Sequence, residues 1–208
     1  MTDTDIAQLI DRMQQSDFYP HKVEQNIELI QTHAAYVFLT GKFAYKIKKN
    51  VNFGFLDYST LAKRKHCLTT ELSLNQEIAP ELYLAVIPIS VRDEQLVLGQ
   101  GETIIEYTLK MRQFSQENLF TNLLAANKLN SRRFRELGKI VAQFHQTAKT
   151  NAYICSFGTV AKIRTAFDEN YQQTQKYIGI VQTKEQLEAT KAYTDTFFRV
   201  HHHTFSGE

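Results

Sequence analysis

YVFLTGKFAYKIKK, residues 36–49, is the stretch from which the fold of this chain follows. Tyr36, Val37, Phe38 and Leu39 are aromatic and aliphatic residues that favour strands, and Thr40 and Gly41 after them let the chain turn. The pattern predicts a β-hairpin. In its second strand Phe43, Tyr45 and Ile47 point to one side and Ala44, Lys46 and Lys48 to the other, because strand side chains repeat every second residue. The lysine side has two readings. It is a charged edge that discourages pairing with other chains, or it carries Lys46 to the inner face of the sheet to meet an anion.

Composition bounds what can surround this hairpin. The 208 residues, 43% hydrophobic and 12% aromatic, suffice for one large core or two small ones and are not those of a disordered chain. With 24 basic and 22 acidic residues the formal charge is +2, which by itself gives no reason to expect nucleic acid. The charge is uneven, however. From Lys42 to Lys65 the chain carries Lys42, Lys46, Lys48, Lys49, Lys63, Arg64 and Lys65 against the single acid Asp57, which suggests a nearby anionic ligand or a solvated face. RNA is disfavoured as that ligand, since Phe43, Tyr45, Phe53, Phe55 and Tyr58 among the lysines form no recognised RNA-binding motif. Cys67 and Cys155 have no metal-ligand spacing and fit a reducing compartment. The start, MTDTDIAQLI, lacks the basic flank and apolar run of a signal peptide, and no stretch approaches the length of a membrane span. A cytoplasmic protein with no membrane partner is expected.

The chain divides into two unlike parts. A leading helix from Asp5 to Gln15, the hairpin and a long helix precede three strand-like runs, Tyr83 to Ser90, Gln95 to Leu98 and Thr103 to Phe114. Turn signals at Arg92-Asp93-Glu94 and Gly99-Gln100-Gly101 separate these runs, giving about five strands in a small antiparallel sheet. From Ser115 onward the pattern is helical. The fold class is therefore α+β, with a sheet-plus-helix domain over residues 1–113 and a helical domain over residues 114–208.

The long helix is expected to begin near Ser59, capped by Asp57 or Ser59, and to run to about Ala79, ahead of Pro80. On it Glu71 lies one turn from Cys67, Leu68, Leu74 and Asn75, away from the charged side carrying Lys63, Arg64 and Lys65. Burying this carboxylate unpaired would cost about 3–5 kcal/mol, so a cation from the sheet is expected. Lys46 is the candidate, unless Glu71 edges the helix and reaches water. A strand lysine held by a helical glutamate, with the small Ala44 two residues earlier, is the arrangement of the V-A-I-K strand of kinases, where the lysine reaches the phosphates. The run IIEYTLKMRQF, residues 104–114, ends where the composition turns helical. Met111, Arg112 and Gln113 would then form a crossing that offers backbone groups to an adenine edge, or Met111 simply fills a gap in the core.

At this point AYVFLTGKFAYKIKKNVNFGFLDYSTLAKRKHCLTTELSLNQEIAPELYL, followed by the strand ending in MRQF, resembles the amino-terminal half of the aminoglycoside phosphotransferase-like kinases. The resemblance is to a bacterial branch of kinases, some of whose members carry a second, P-loop kinase domain. It runs from Tyr19-Pro20 through Phe144-His145 to Phe157-Gly158 and Glu169-Asn170-Tyr171. It implies a protein-kinase-like fold: an ATP-binding lobe of sheet plus helix, a hinge, and a helical lobe that carries catalysis and the acceptor. Lys46 would hold the α and β phosphates and Glu71 would orient it. Gly41, with Lys42 beside it, would supply a minimal phosphate turn. Ala44, Met111 and Gln113 would lie against the base, and magnesium accompanies ATP in a complete member.

The resemblance stops short of the catalytic loop. Neither an H-G-D nor an H-R-D motif is present, and the aspartates after the crossing, Asp168 and Asp195, sit in helical-looking segments as surface or capping residues. The resulting expectation is the ATP-binding part of a small-molecule kinase, with a truncated helical lobe, no catalytic or metal-binding aspartates and no activity alone. Its partners would be the nucleotide, an unread small-molecule acceptor and a missing C-terminal segment. The alternative is a non-catalytic kinase-like interaction or nucleotide-sensing module. His145 is expected in the core of a helix from Ser131 to Lys149. The run His201-His202-His203 reads as a terminal segment, because neighbouring side chains on a helix point about 100° apart and cannot share one ion.

Overall fold

The computed structural model describes residues 3–23 and 26–201. The hairpin is present as β2 (Ala35–Leu39) and β3 (Phe43–Lys48), preceded by a strand that the sequence pattern does not announce, β1 (Glu28–Gln31). Only Leu29 and Ile30 give β1 an apolar signal. Pairing with β2, from Glu28 opposite Leu39 to Gln31 opposite Tyr36, is what makes it a strand. The turn between them is closed locally, the Thr32 hydroxyl accepting from the Ala34 and Ala35 N–H groups at 3.3 and 3.0 Å.

The later strands are β4 (Tyr83–Arg92), β5 (Gln95–Leu98) and β6 (Thr103–Arg112). All six make one antiparallel sheet in the order β1-β2-β3-β6-β4-β5. The turn expected around Asp93 forms with both Asp93 and Glu94 at positive φ, 49° and 61°, the backbone that suits the twist of a tight hairpin. The architecture is α+β, with one more strand than the sequence pattern suggests.

The two faces of β3 have different fates. Phe38 pairs with Tyr45 and Tyr36 with Ile47, so these side chains share one face. There Phe38, Tyr45 and Ile47 join Leu9, Met13, Phe18, Tyr19 and Ile89 in the core, Leu9 and Met13 coming from the leading helix α1 (Asp3–Met13). The face is dry enough that burial pushes the Tyr45 phenol up to about 12. The opposite face holds Val37, Ala44, Lys46 and Lys48; α2 (Leu61–Gln76) packs on β6 and β4 and reaches β3 through Glu71.

Helix α2 begins two residues later than expected, because Thr60 is the cap and its side chain accepts from the Lys63 N–H. Asp57 instead binds the Ser59 N–H and hydroxyl and pairs with Lys63. The helix also stops early, at Gln76. The Ile78 and Ala79 N–H groups both turn back to the Asn75 carbonyl, closing the chain before Pro80 is reached.

Two compact units are present, residues 1–137 and residues 138–208. The strands end at Arg112, but the first unit continues through α3 (Phe120–Ala125) and the opening turns of α4 (Ser131–Thr147). The second contains α5 (Ala152–Phe157), α6 (Val160–Thr174) and α7 (Lys184–Val200). Within it α6 meets α7 through the Phe167 and Phe198 rings, 5.3 Å apart, and a 2.6 Å hydrogen bond between the Tyr171 and Thr194 hydroxyls. Phe157 ends α5 and Gly158 caps it. His145 is not a core residue. It is exposed on α4, whose apolar residues Ile140 and Val141 are exposed as well, so no core forms around the ring. Of the histidine run, His202 and His203 lie outside the described residues. Among the described residues no helix is long and apolar enough to cross a membrane.

Candidate anion-binding site between strand and helix

Helix α2 faces the sheet with a stripe made of Arg64, Leu68 and Glu71. Seven residues are almost two full turns, so Arg64 and Glu71 lie on the same side of the helix, about 10 Å apart along its axis. Leu68 sits between them, fully buried. Arg64 is therefore not on the solvated face with Lys63 and Lys65, where the run of charge suggested it would be. It is 4% exposed, and Nε donates to Glu106 Oε2 at 2.7 Å while Nη1 donates to the Tyr58 carbonyl at 3.0 Å. Leu74, expected beside Glu71 on the apolar side, is exposed.

Glu71 meets the lysine that the strand pattern nominated, and a second one besides. Lys46 Nζ donates to Oε1 at 2.7 Å and Lys48 Nζ to Oε2 at 2.7 Å. Both lysines project from the same face of β3, one pleat apart, so their ammonium groups straddle the carboxylate. The three side chains differ in access: 25% of Lys46 is exposed, 17% of Glu71 and 8% of Lys48. Lys48 is further enclosed by the buried Tyr58, whose ring centroid lies 4.9 Å from Nζ. Burial pushes the Glu71 carboxyl up, but the hydrogen bonds and charges of Lys46 and Lys48 outweigh it and hold the group below the ordinary glutamate value. For Lys48 burial pulls the ammonium down, and the Glu71 carboxylate with Tyr58 more than reverses this. Tyr83 borders the cluster, its phenol raised by burial and by the charge of Glu71. Two cations on one carboxylate leave one positive charge in excess, and Lys46 is the more open of the two.

Beside Lys46 the same face is apolar. Ala44 pairs with Met111 and Lys46 with Leu109 across the β3–β6 ladder, which sets a small side chain, a methionine and a leucine next to the ammonium. Gln113 lies just past β6 and reaches back to the hairpin turn. Its N–H donates to the Lys42 carbonyl at 3.2 Å, and its Oε1 accepts the Gly41 N–H at 2.8 Å. Gly41, at φ +88°, makes the tight turn that the sequence implies. A phosphate at its N–H would have to displace Gln113.

The remaining cations of the basic run are dispersed. Lys63 pairs with Asp57, and Lys42, Lys49 and Lys65 lie over the rings of Phe43, Tyr36 and Tyr107 at 5.4, 4.5 and 5.0 Å. With Tyr45 and Tyr58 buried, the run forms no continuous basic and aromatic surface for a nucleic-acid strand. A cavity of about 570 Å³ lies at the other end of α2, against Thr60, Leu61, Arg64, Leu96 and Ile105, and does not reach Lys46 or Glu71.

In the second unit Arg164 binds both late aspartates, donating from Nε to Asp168 at 3.0 Å and from Nη2 to Asp195. Among the described residues no group of three His, Cys, Asp or Glu side chains converges as a metal seat.

The share of Lys48 in the site escaped sequence reasoning although its alternation was visible, because one partner sufficed to satisfy Glu71 on paper. Burial of Arg64 had a fainter signal, its seven-residue spacing from Glu71. Neither a family model nor a solved structure matches the chain. Among curated proteins, uncharacterized proteins of Mycobacterium tuberculosis and Mycobacterium bovis are 25% identical over 191 residues, which is 92% of this chain and 37% of theirs. The chain thus spans little more than a third of the length of these relatives.

Proposed function

We propose that this chain is the ATP-binding part of an aminoglycoside phosphotransferase-like small-molecule kinase. The observation that carries the reading is the Lys46–Glu71 pair at 2.7 Å, with the lysine on β3 and the glutamate on the helix that follows it. A β3 lysine paired to a helical glutamate is the device by which protein kinases hold the α and β phosphates. The excess charge at Lys46 suits an oligophosphate. Beside it the half-buried Met111, backed by the buried Ala44 and Leu109, suits a flat apolar base, whose edge would have to compete with the Lys42 carbonyl for the Gln113 N–H. Among the described residues no three His, Cys, Asp or Glu side chains converge to hold a metal ion. Catalytic and metal-binding aspartates would come from polypeptide beyond these residues, for which the greater length of the mycobacterial relatives leaves room.

Calorimetric titration with ATP and ADP tests the reading. Binding that weakens roughly tenfold in Lys46→Ala supports it, a loss of about 1.4 kcal/mol. Absence of heat at millimolar nucleotide removes it. A second reading, a non-catalytic kinase-like interaction or nucleotide-sensing module, is favoured by one observation: Asp168 and Asp195 are both committed to Arg164. Either way the purified chain is expected to transfer no phosphoryl group to sugars or aminoglycosides. ATP consumption abolished by Lys46→Ala would overturn that expectation.

A further inference from the structure

We infer that Lys48 is the positioning residue of this site: it keeps Glu71 paired, and so frees Lys46 to turn toward an incoming anion. The inference deepens the proposed function and rests on its reading that Lys46 meets a phosphate.

Two observations and one physical argument carry it. Each lysine has its own carboxylate oxygen, so neither must give way for the other. Lys48 is the enclosed partner, 8% exposed and against Tyr58, whereas Lys46, at 25%, faces outward. Lastly, a half-buried carboxylate is costly when it loses its only cation, because the desolvation remains and the attraction is gone. With one lysine, an anion would compete directly with Glu71, and each binding event would strand the carboxylate. With two, Lys46 swings from Oε1 to the anion while Lys48 stays on Oε2. Glu71 keeps a partner in both states, and the anion neutralises an excess positive charge, whereas with one lysine it would add negative charge to an already balanced pair. Lys48 itself touches no anion. Its effect on affinity passes through Glu71, which in its absence would hold Lys46 back.

Inorganic pyrophosphate and ATP are the probes, with the lysine side chains followed by NMR through their ε-carbon signals. In the unaltered chain both probes should shift the Lys46 signal and leave that of Lys48 in place. Lys48→Met should weaken both probes by about fivefold or more, the lower end of ordinary coupling between sites. Adding Glu71→Gln to Lys48→Met should restore affinity, because a neutral amide no longer captures Lys46, and a merely structural role for Lys48 would give no such rescue. Should Lys48→Met fail to fold, Glu71→Gln is compared with Lys48→Met/Glu71→Gln, which should bind alike. Movement of the Lys48 signal as large as that of Lys46, unchanged affinity in Lys48→Met, or failure of the rescue overturns the inference. Pyrophosphate binding with this pattern but no ATP binding removes the nucleotide reading and leaves the partition of the lysines standing. Binding of neither probe at millimolar concentration overturns both.

Discussion

Helix α2 is tied to the sheet by two ionic contacts of opposite sense, one a single pair and the other a carboxylate shared by two lysines, and they differ in exposure and balance. At its first turns Arg64 reaches from the helix to Glu106 on the sheet, with 4% and 1% of the two side chains exposed. Two turns later Glu71 reaches from the helix to Lys46 and Lys48 on the sheet, and the cluster is open on the Lys46 side. The first pair is balanced, one charge against one, with the Tyr58 carbonyl and the Tyr107 N–H taking up further valences. The second is unbalanced by one positive charge. A sealed, balanced pair has nothing left to offer a ligand, whereas an open, unbalanced one keeps an unmet electrostatic demand at a surface that a ligand can reach. The helix is pinned at one end so that the carboxylate at the other is held in place.

The sharpest way to break this contrast is to strand the sealed carboxylate. Arg64→Ala should cost about 3–5 kcal/mol in urea unfolding, since it leaves Glu106 buried without its cation. Adding Glu106→Gln should recover part of the loss, and a single-mutant cost under about 1 kcal/mol would mean that the pair contributes no more than a surface one. Lys46→Ala should behave oppositely. Stability should change by less than about 1 kcal/mol because Lys48 still holds Glu71, while ATP affinity falls roughly tenfold. Equal losses of stability in Arg64→Ala and Lys46→Ala would dissolve the distinction. Thr60→Ala removes the cap of α2 and should cost about 1 kcal/mol, with hydrogen exchange rising at Leu61 to Arg64 before it rises around Glu71.

The smallest effect expected is in the acid limb of the stability curve, where the two carboxylates should pull in opposite directions. Glu71 in the folded chain lies below its ordinary value of 4.5, so its pairing stabilises above that pH and the benefit is lost as pH falls through the lowered value. Glu106 is the reverse. Burial outweighs the Tyr107 N–H and Arg64 and holds it above 4.5, so its ionisation costs stability as pH rises from 4.5 through the raised value. Glu71→Gln should therefore be less stable than the unaltered chain above that window and converge with it in acid. Glu106→Gln should flatten the opposing slope. Denaturant midpoints measured between about pH 3 and pH 7 check both, and parallel curves would show that neither carboxylate is perturbed.

Much of the site was legible before any coordinates. The alternation in FAYKIK assigns Lys46 and Lys48 to one face and Tyr45 and Ile47 to the other, and the register of β2 with β3 agrees with it. Glu71 could be matched to Lys46 because a carboxylate among apolar neighbours wants a cation. Helix α2 was harder to orient. Its buried stripe carries Arg64 and Glu71, so hydrophobic periodicity does not mark the inward side, and Arg64 was grouped with the exposed Lys63 and Lys65. Strand β1 was invisible because four residues with two apolar side chains become a strand only when a partner supplies the ladder. Likewise nothing local could indicate that Gln113, seventy-two residues along the chain, would take the Gly41 N–H.

By itself the sequence determined the local alphabet of this protein: the hairpin, the two faces of β3, the existence of a long helix after it, and the change from mixed to helical structure after Arg112. These depend on side-chain periodicity and turn chemistry within a few residues, which any stretch of chain carries with it. Tertiary structure alone decided which charges were spent in the interior and which remained to act. Arg64 went inward to Glu106, Lys48 was enclosed beside Tyr58, and Lys46 was left open on Glu71. The physical reason is that burial and pairing are properties of a whole packed surface. A lysine two residues from another has the same local pattern, and only the position of the helix above them makes one a counter-ion and the other a candidate ligand for phosphate.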